Sequence, residues 1–178
     1  MLYARIPADR VGVLVGPGGA TKRTLQERTG VIVLIDSATG EVTIDESRAS
    51  DPTYALKVRD IVAAVGRGFS EERAFRLLED DMYFVEFDIK DFAHSRNRIG
   101  EIKGRAIGTR GKTRRLIEEL AGVDMSVYGH SVSLIGDAFR IGIAREAVEM
   151  LLRGSEHKTV YRFLERKRAD IRAYEMGF

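Results

Sequence analysis

Ile107-Gly108-Thr109-Arg110-Gly111-Lys112-Thr113-Arg114-Arg115 repeats the pattern of Val15-Gly16-Pro17-Gly18-Gly19-Ala20-Thr21-Lys22-Arg23 at a displacement of 92 positions. The correspondence runs on without a gap. Glu27 falls on Glu119, Gly30 on Gly122, Val31 on Val123, Val33 on Met125 and Ile35 on Val127. Over residues 15–35 seven positions are identical (Gly16, Gly19, Thr21, Arg23, Glu27, Gly30 and Val31), and the apolar positions are kept as well. Self-similarity at a fixed displacement marks a duplicated structural unit. The 178-residue chain therefore reads as two copies of one unit.

Each copy carries the same order of elements. In the first, alternating Leu2, Ala4 and Ile6 predict a short strand. Asp9 is a candidate cap for a helix running to Val15, which the Gly16–Gly19 turn breaks. A second helix is predicted from Ala20 to Thr29, closed by Gly30 in the left-handed position. Val31–Ile35 and Glu41–Asp45 read as strands around the Ser37–Gly40 turn, and a helix follows from Asp51-Pro52 to about Ala64. In the second copy the order recurs. It has a strand at Tyr83–Ile89, a helix at about Ser95–Ile107, the Gly108–Gly111 turn and a helix at Lys112–Ala121. Strands at Val123–Tyr128 and Ser131–Ile135 and a helix at about Ala138–Leu152 complete it. The fold class is α+β, β-α-α-β-β-α in each copy, with helices on one face of a small sheet. The domains are placed at 1–77 and 78–178, joined in the stretch 66–81. A final helix, roughly Ser155–Tyr174, lies outside the repeat with Lys158, Arg162, Arg166, Lys167, Arg168 and Arg172 as its basic positions.

Charge is distributed unevenly. The total is only +2, with charged residues at 31% and hydrophobic ones at 44%. Residues 70–91 hold eight acids against Arg73, Arg76 and Lys90. Residues 92–115 hold Arg96, Arg98, Lys103, Arg105, Arg110, Lys112, Arg114 and Arg115 against Glu101 alone. A local excess of this kind suits phosphate binding, because the local field and counterion release matter more than the total. A solvated helical face is the other reading of a charge run. No stretch approaches the roughly 18 apolar residues of a membrane span. The absence of cysteine excludes a disulfide framework and a thiolate metal site. The N-terminus shows no secretory pattern, so a protein of a reducing compartment, the cytoplasm, is expected, with no membrane partner.

G-x-x-G between two helices is the feature that points to function. Glycine permits positive φ and removes Cβ, which lets a backbone approach the turn, and the following helix offers free N–H groups to an anion. In its setting of helix, turn, helix, strand, strand, helix, it resembles the KH family, type I. There a G-x-x-G loop clamps four nucleotides of a single strand. More narrowly, His94-Ser95-Arg96-Asn97-Arg98-Ile99-Gly100 leading into Gly104-Arg105-Ala106-Ile107-Gly108 is similar to archaeal relatives of the "partner of Nob" small-subunit assembly factor. That resemblance implies binding of single-stranded RNA, namely small-subunit ribosomal RNA near its 3′ end, during ribosome assembly or rRNA processing. It also implies partnership with the endonuclease that matures that end.

The two copies differ in chemistry. Gly108, Thr109, Arg110 and Gly111, followed by Lys112, Arg114 and Arg115, offer cations where phosphates would sit, and Arg98, Lys103 and Arg105 precede the turn. Gly16, Pro17, Gly18 and Gly19 hold no cation, and Pro17 has no N–H, so only Lys22 and Arg23 remain for that turn. Weaker RNA contact and a purely structural, interface role are both open for it. Bases would lie on an apolar platform near Ile117, Val123, Met125 and Val127, with Met125 taken as an RNA contact and Ile117 and Val127 as core.

Two other classes compete. Ala106–Thr113 satisfies a relaxed phosphate-loop pattern, but a P-loop follows a buried strand, and Ile99–Arg105 does not read as one. His94, His130 and His157 lack metal-ligand spacing, so no metal, no cofactor and no enzymatic activity are expected. A protein-interaction scaffold in translation or ribosome biogenesis is the remaining alternative.

Overall fold

Leu2 and Ala4 turn half-buried faces inward while Tyr3 and Arg5 stay exposed, which makes the first strand, β1 (Leu2–Arg5). The structure is a computed structural model that describes residues 1–178. Its contacts divide the chain into two units, Met1–Asp80 and Asp81–Phe178.

In unit 1, helix α1 (Ala8–Val15) buries Val11 and Leu14. Pro7 occupies its cap position and Asp9, expected there, lies one position inside the first turn. The fixed φ of proline suits the entry to a helix, and an acid in the first turn still meets the positive end of the dipole. Helix α2 (Ala20–Thr29) ends at left-handed Gly30, whose N–H donates to the Gln26 carbonyl at 2.8 Å. Strands β2 (Ile32–Ile35) and β3 (Glu41–Asp45) follow, and the antiparallel sheet has the order β1-β3-β2. Asp51 accepts from the Thr53 amide and hydroxyl at 2.9 and 2.6 Å. This side-chain turn delays helix α3 (Tyr54–Gly66) beyond its expected start at Asp51-Pro52. The stretch after α3 folds into unit 1. Ser70 caps the one-turn helix α4 (Glu71–Ala74), a 3₁₀ turn covers Phe75–Leu78, and Phe69, Ala74 and Leu77 are buried.

Unit 2 repeats the plan with longer strands. β4 (Met82–Asp88), β5 (Asp124–Tyr128) and β6 (Ser131–Asp137) form an antiparallel sheet of order β4-β6-β5. Ser95 caps helix α5 (Arg96–Ile107) by accepting from the Arg98 amide at 3.1 Å. Helix α6 (Lys112–Ala121) ends at left-handed Gly122, as α2 ends at Gly30. Helix α7 (Ala138–Leu152) starts from Asp137, which accepts from the Arg140 amide at 2.9 Å. The last helix, α8 (His157–Glu175), buries Val160, Phe163, Leu164 and Ile171 in the same core as Ile102, Ile117, Leu134 and Val148. Apolar burial on this scale, about 1.5–3 kcal/mol for each fully buried large side chain, makes α8 an integral part of unit 2.

Candidate nucleic-acid interface

The turn between α5 and α6 takes its shape from three left-handed residues. Gly108 has φ 75° and ψ 171°, Arg110 φ 55° and ψ 30°, and Gly111 φ 76° and ψ 15°. Unit 1 builds the same turn with Gly16 (75°, 171°), Gly18 (58°, 23°) and Gly19 (78°, 14°). At Gly108 the requirement for glycine is twofold: φ is positive, and a Cβ would lie 2.6 Å from the Thr113 amide nitrogen. The close approach that glycine permits here is to the start of the turn's own second helix. Thr109, Arg110 and Lys112 are exposed on the outside of the turn, at the positive end of α6.

The predicted cations fall into four groups. Arg110 and Lys112 are exposed and carry no ion pair, and Lys103 is half-buried with none. Arg115 donates to the Arg110 carbonyl at 2.6 Å, bracing the turn as Arg23 does through the Gly18 carbonyl at 3.2 Å. Arg98 and Arg114 are paired with Glu101 (2.9 Å) and Glu118. Arg105 departs from expectation. Its guanidinium donates to the carbonyls of Leu151 and Ser155, at the end of α7 and in the bend beyond it. With two of its donors engaged by carbonyls inside the unit, Arg105 clamps the end of α7 to the bend beyond it. Arg10 plays the same part in unit 1, donating to Val65 and Phe69, both at 2.8 Å. Residue order gives no sign of these clamps, because each arginine sits more than 45 positions from its acceptors.

The apolar platform is also corrected. Met125, expected to touch bases, is only 1% exposed and belongs to the core with Ile117 and Val123. Val123 and Met125 are packed into that core, and Asp124 between them is buried as well. Val127 alone of the proposed set stays partly exposed, together with Ile99 of α5 and Leu120 of α6, from three elements that pack on one another. The edge of this sheet is engaged from α6: the Met125 amide donates to Glu118 Oε2 at 3.2 Å, and in unit 1 the Val33 amide donates to Gln26 Oε1 at 2.9 Å. With the Met125 amide facing outward, alternation directs the N–H and C=O of Val127 to the same open edge.

The phosphate-loop pattern at Ala106–Thr113 follows helix α5, where a P-loop needs a buried strand, so the pattern has no structural counterpart. No group of three or more His, Cys, Asp or Glu side chains is placed to hold a metal ion. No helix is long and apolar enough to cross a membrane.

Comparison with known proteins gives these turns a family. A KH-domain model matches residues 3–50. A model described as a eukaryotic type KH-domain (KH-domain type I), that of the second PNO1 domain, matches residues 83–169. A KH domain-containing protein of Methanocaldococcus jannaschii is 48% identical over 169 residues, 94% of this chain and 74% of that protein. This chain belongs to the KH family. A pre-rRNA-processing protein pno1 of Aspergillus fumigatus is 35% identical over 124 residues, 67% of this chain. This KH chain spans 49% of the length of that fungal relative and 60% of the pno1 of Schizosaccharomyces pombe. Among solved structures, a chain of an a/eIF2alpha–aDim2p–rRNA complex from Pyrococcus horikoshii superposes with a TM-score of 0.88 at 46% identity, covering 95% of this chain and 94% of that one. The KH assignment accounts for both glycine turns and for the helix–turn–helix and strand pair around each.

Proposed function

We propose that this protein binds single-stranded RNA through the Gly108–Gly111 turn of unit 2, and that its target is small-subunit ribosomal RNA near the 3′ end during pre-rRNA processing. The carrying observation is Arg110, an unpaired arginine held at positive φ on the exposed outside of the turn. A non-glycine residue there is strained, and strain of this kind concentrates at functional sites. In this reading Gly108 and Gly111 set the backbone path of the turn, the RNA backbone lies along its exposed Thr109–Arg110 side, and Arg110 and Lys112 meet phosphates. Val127 offers a partly apolar surface and an open backbone edge to the bases. Relatives named as pre-rRNA-processing proteins, and an aDim2p in complex with rRNA, support the choice of target. The role is that of a binding protein without catalysis, working in the cytoplasm where ribosomes are assembled. Unit 1 keeps the turn but offers Pro17 and Gly18 where unit 2 offers Thr109 and Arg110, so it contributes little to RNA affinity.

The test is titration of a labelled single-stranded RNA matching the 3′ end of small-subunit rRNA into the wild-type chain and two double variants. Thr109→Asp with Arg110→Asp is expected to lose binding by at least about 100-fold, because two carboxylates replace a phosphate contact. Pro17→Asp with Gly18→Asp is expected to bind within about threefold of wild type. Unchanged affinity in the first variant sinks the assignment.

A further inference from the structure

Helix α8 begins beside the RNA-binding turn and is latched to it. Thr113, buried directly behind Gly108, pairs its hydroxyl with the Tyr161 hydroxyl at 2.9 Å. His157 Nε2 lies 2.9 Å from the Arg105 carbonyl, and the Arg105 guanidinium holds the bend that leads into α8. Three contacts thus fix the first turns of α8 relative to the end of α5 and the start of α6. From Tyr161 the helix carries Arg162 and Arg166 one turn apart, both exposed and without ion pairs. With Thr159, Tyr161 and Glu165 they line an open cleft of about 640 Å³. The acid in that cleft, Glu165, is engaged by Arg168 at 3.5 Å. An aromatic side chain beside two unpaired arginines is a surface for a nucleic-acid strand, since phosphates take the guanidinium forks and bases stack on the ring.

Unit 1 supplies the internal contrast. Thr21, the counterpart of Thr113, donates its hydroxyl to Glu71 Oε2 at 2.7 Å. The place held by Tyr161 in unit 2 is therefore held in unit 1 by α4, a single turn with Glu71 and Glu72 at its start. The same location behind the glycine turn is basic and aromatic in one unit and acidic in the other.

We infer that α8 is a second segment of the RNA site: a strand clamped at Gly108–Gly111 continues over Tyr161, Arg162 and Arg166, so that the site reads more nucleotides than the turn alone clamps. This rests on the RNA reading of the turn, and the experiment separates the two. Full-length protein is titrated with a 3′-end RNA of about five nucleotides, near the four that such a turn clamps, and with one of about twelve. Wild type binds the longer strand more tightly. Arg162→Glu with Arg166→Glu lowers affinity for the longer strand by about tenfold or more and leaves the shorter one within about twofold. The milder Arg162→Ala with Arg166→Ala lowers the salt slope on the longer strand by about 1.4, two phosphates at about 0.7 each. Unfolding midpoints in urea are expected to match wild type, because neither arginine has a partner to lose. Equal weakening of both strands, or of neither, overturns the extension. If Thr109→Asp with Arg110→Asp leaves the short strand bound, the turn itself is not the clamp. A long-strand effect of Arg162 and Arg166 would then show α8 binding RNA on its own and would overturn the continuity.

Discussion

Arg110 stands where the repeat has Gly18, in nearly the same backbone conformation. An L-residue in this region costs about 1–2 kcal/mol, which glycine avoids. Arg110→Gly is therefore expected to keep or slightly raise stability, by less than about 1 kcal/mol once the greater freedom of the unfolded chain is counted. The same change should weaken RNA binding about tenfold and lower the salt slope by about 0.7, one phosphate contact. Urea unfolding and RNA titration of one variant check both halves, and a variant that loses stability and keeps its affinity contradicts the assignment. Met125 and Arg105 teach the opposite lesson at this scale. The fold places Met125 in the core and engages Arg105 with two carbonyls.

Among the elements, α7 shows how a helix start is held by charge. Burial pushes the Asp137 carboxyl up, but the Arg140 amide and guanidinium outweigh it and hold the group below the ordinary carboxylate range. Arg140 is also bound by Glu175 at 2.7 Å near the end of α8, so one arginine joins the start of α7 to the last turn of α8. A depressed carboxyl stabilises the fold above its unfolded pKa, and that contribution is lost as pH falls through the folded value. Asp137→Asn keeps an oxygen at the cap and removes the charge. At neutral pH it should cost about 1 kcal/mol, the usual size of a helix-terminus charge effect in a partly buried site. The difference from wild type should shrink once pH drops below the ordinary carboxyl value of about 3.9 and vanish below the folded one. Urea unfolding at neutral and acid pH measures it, and a cost that persists unchanged in acid rules out the charge as its source.

Taken whole, the molecule is electrostatically lopsided. Unit 1 carries 11 basic and 12 acidic residues, and unit 2 carries 18 and 15, so the excess of positive charge lies entirely in unit 2. Affinity for single-stranded RNA should fall with salt at a log–log slope of about −1.4, two phosphates met by Arg110 and Lys112 at about 0.7 each, and steeper still with a longer strand. Pro17→Asp with Gly18→Asp should leave that slope unchanged. Fluorescence anisotropy across a salt series decides the matter. A slope near zero would favour the protein-interaction scaffold, whose contacts need not release counterions.

The duplication, the order of elements and both glycine turns could be read from the sequence because they rest on local physics. Period-2 and helical apolar spacing, left-handed positions that favour glycine, and a displacement of 92 positions are all written along the chain. Helix starts were less legible where a side-chain turn competes with the helix, as Asp51 does with α3. Which cations remain for RNA was decided by tertiary structure alone. Arg105 and Arg110 look alike in sequence, five positions apart, yet one faces the end of α7 and the other faces solvent. The placement of α8 against the turn likewise depends on Thr113 meeting Tyr161 across 48 residues. Such pairings arise from how packed helices cross, and no local pattern encodes them.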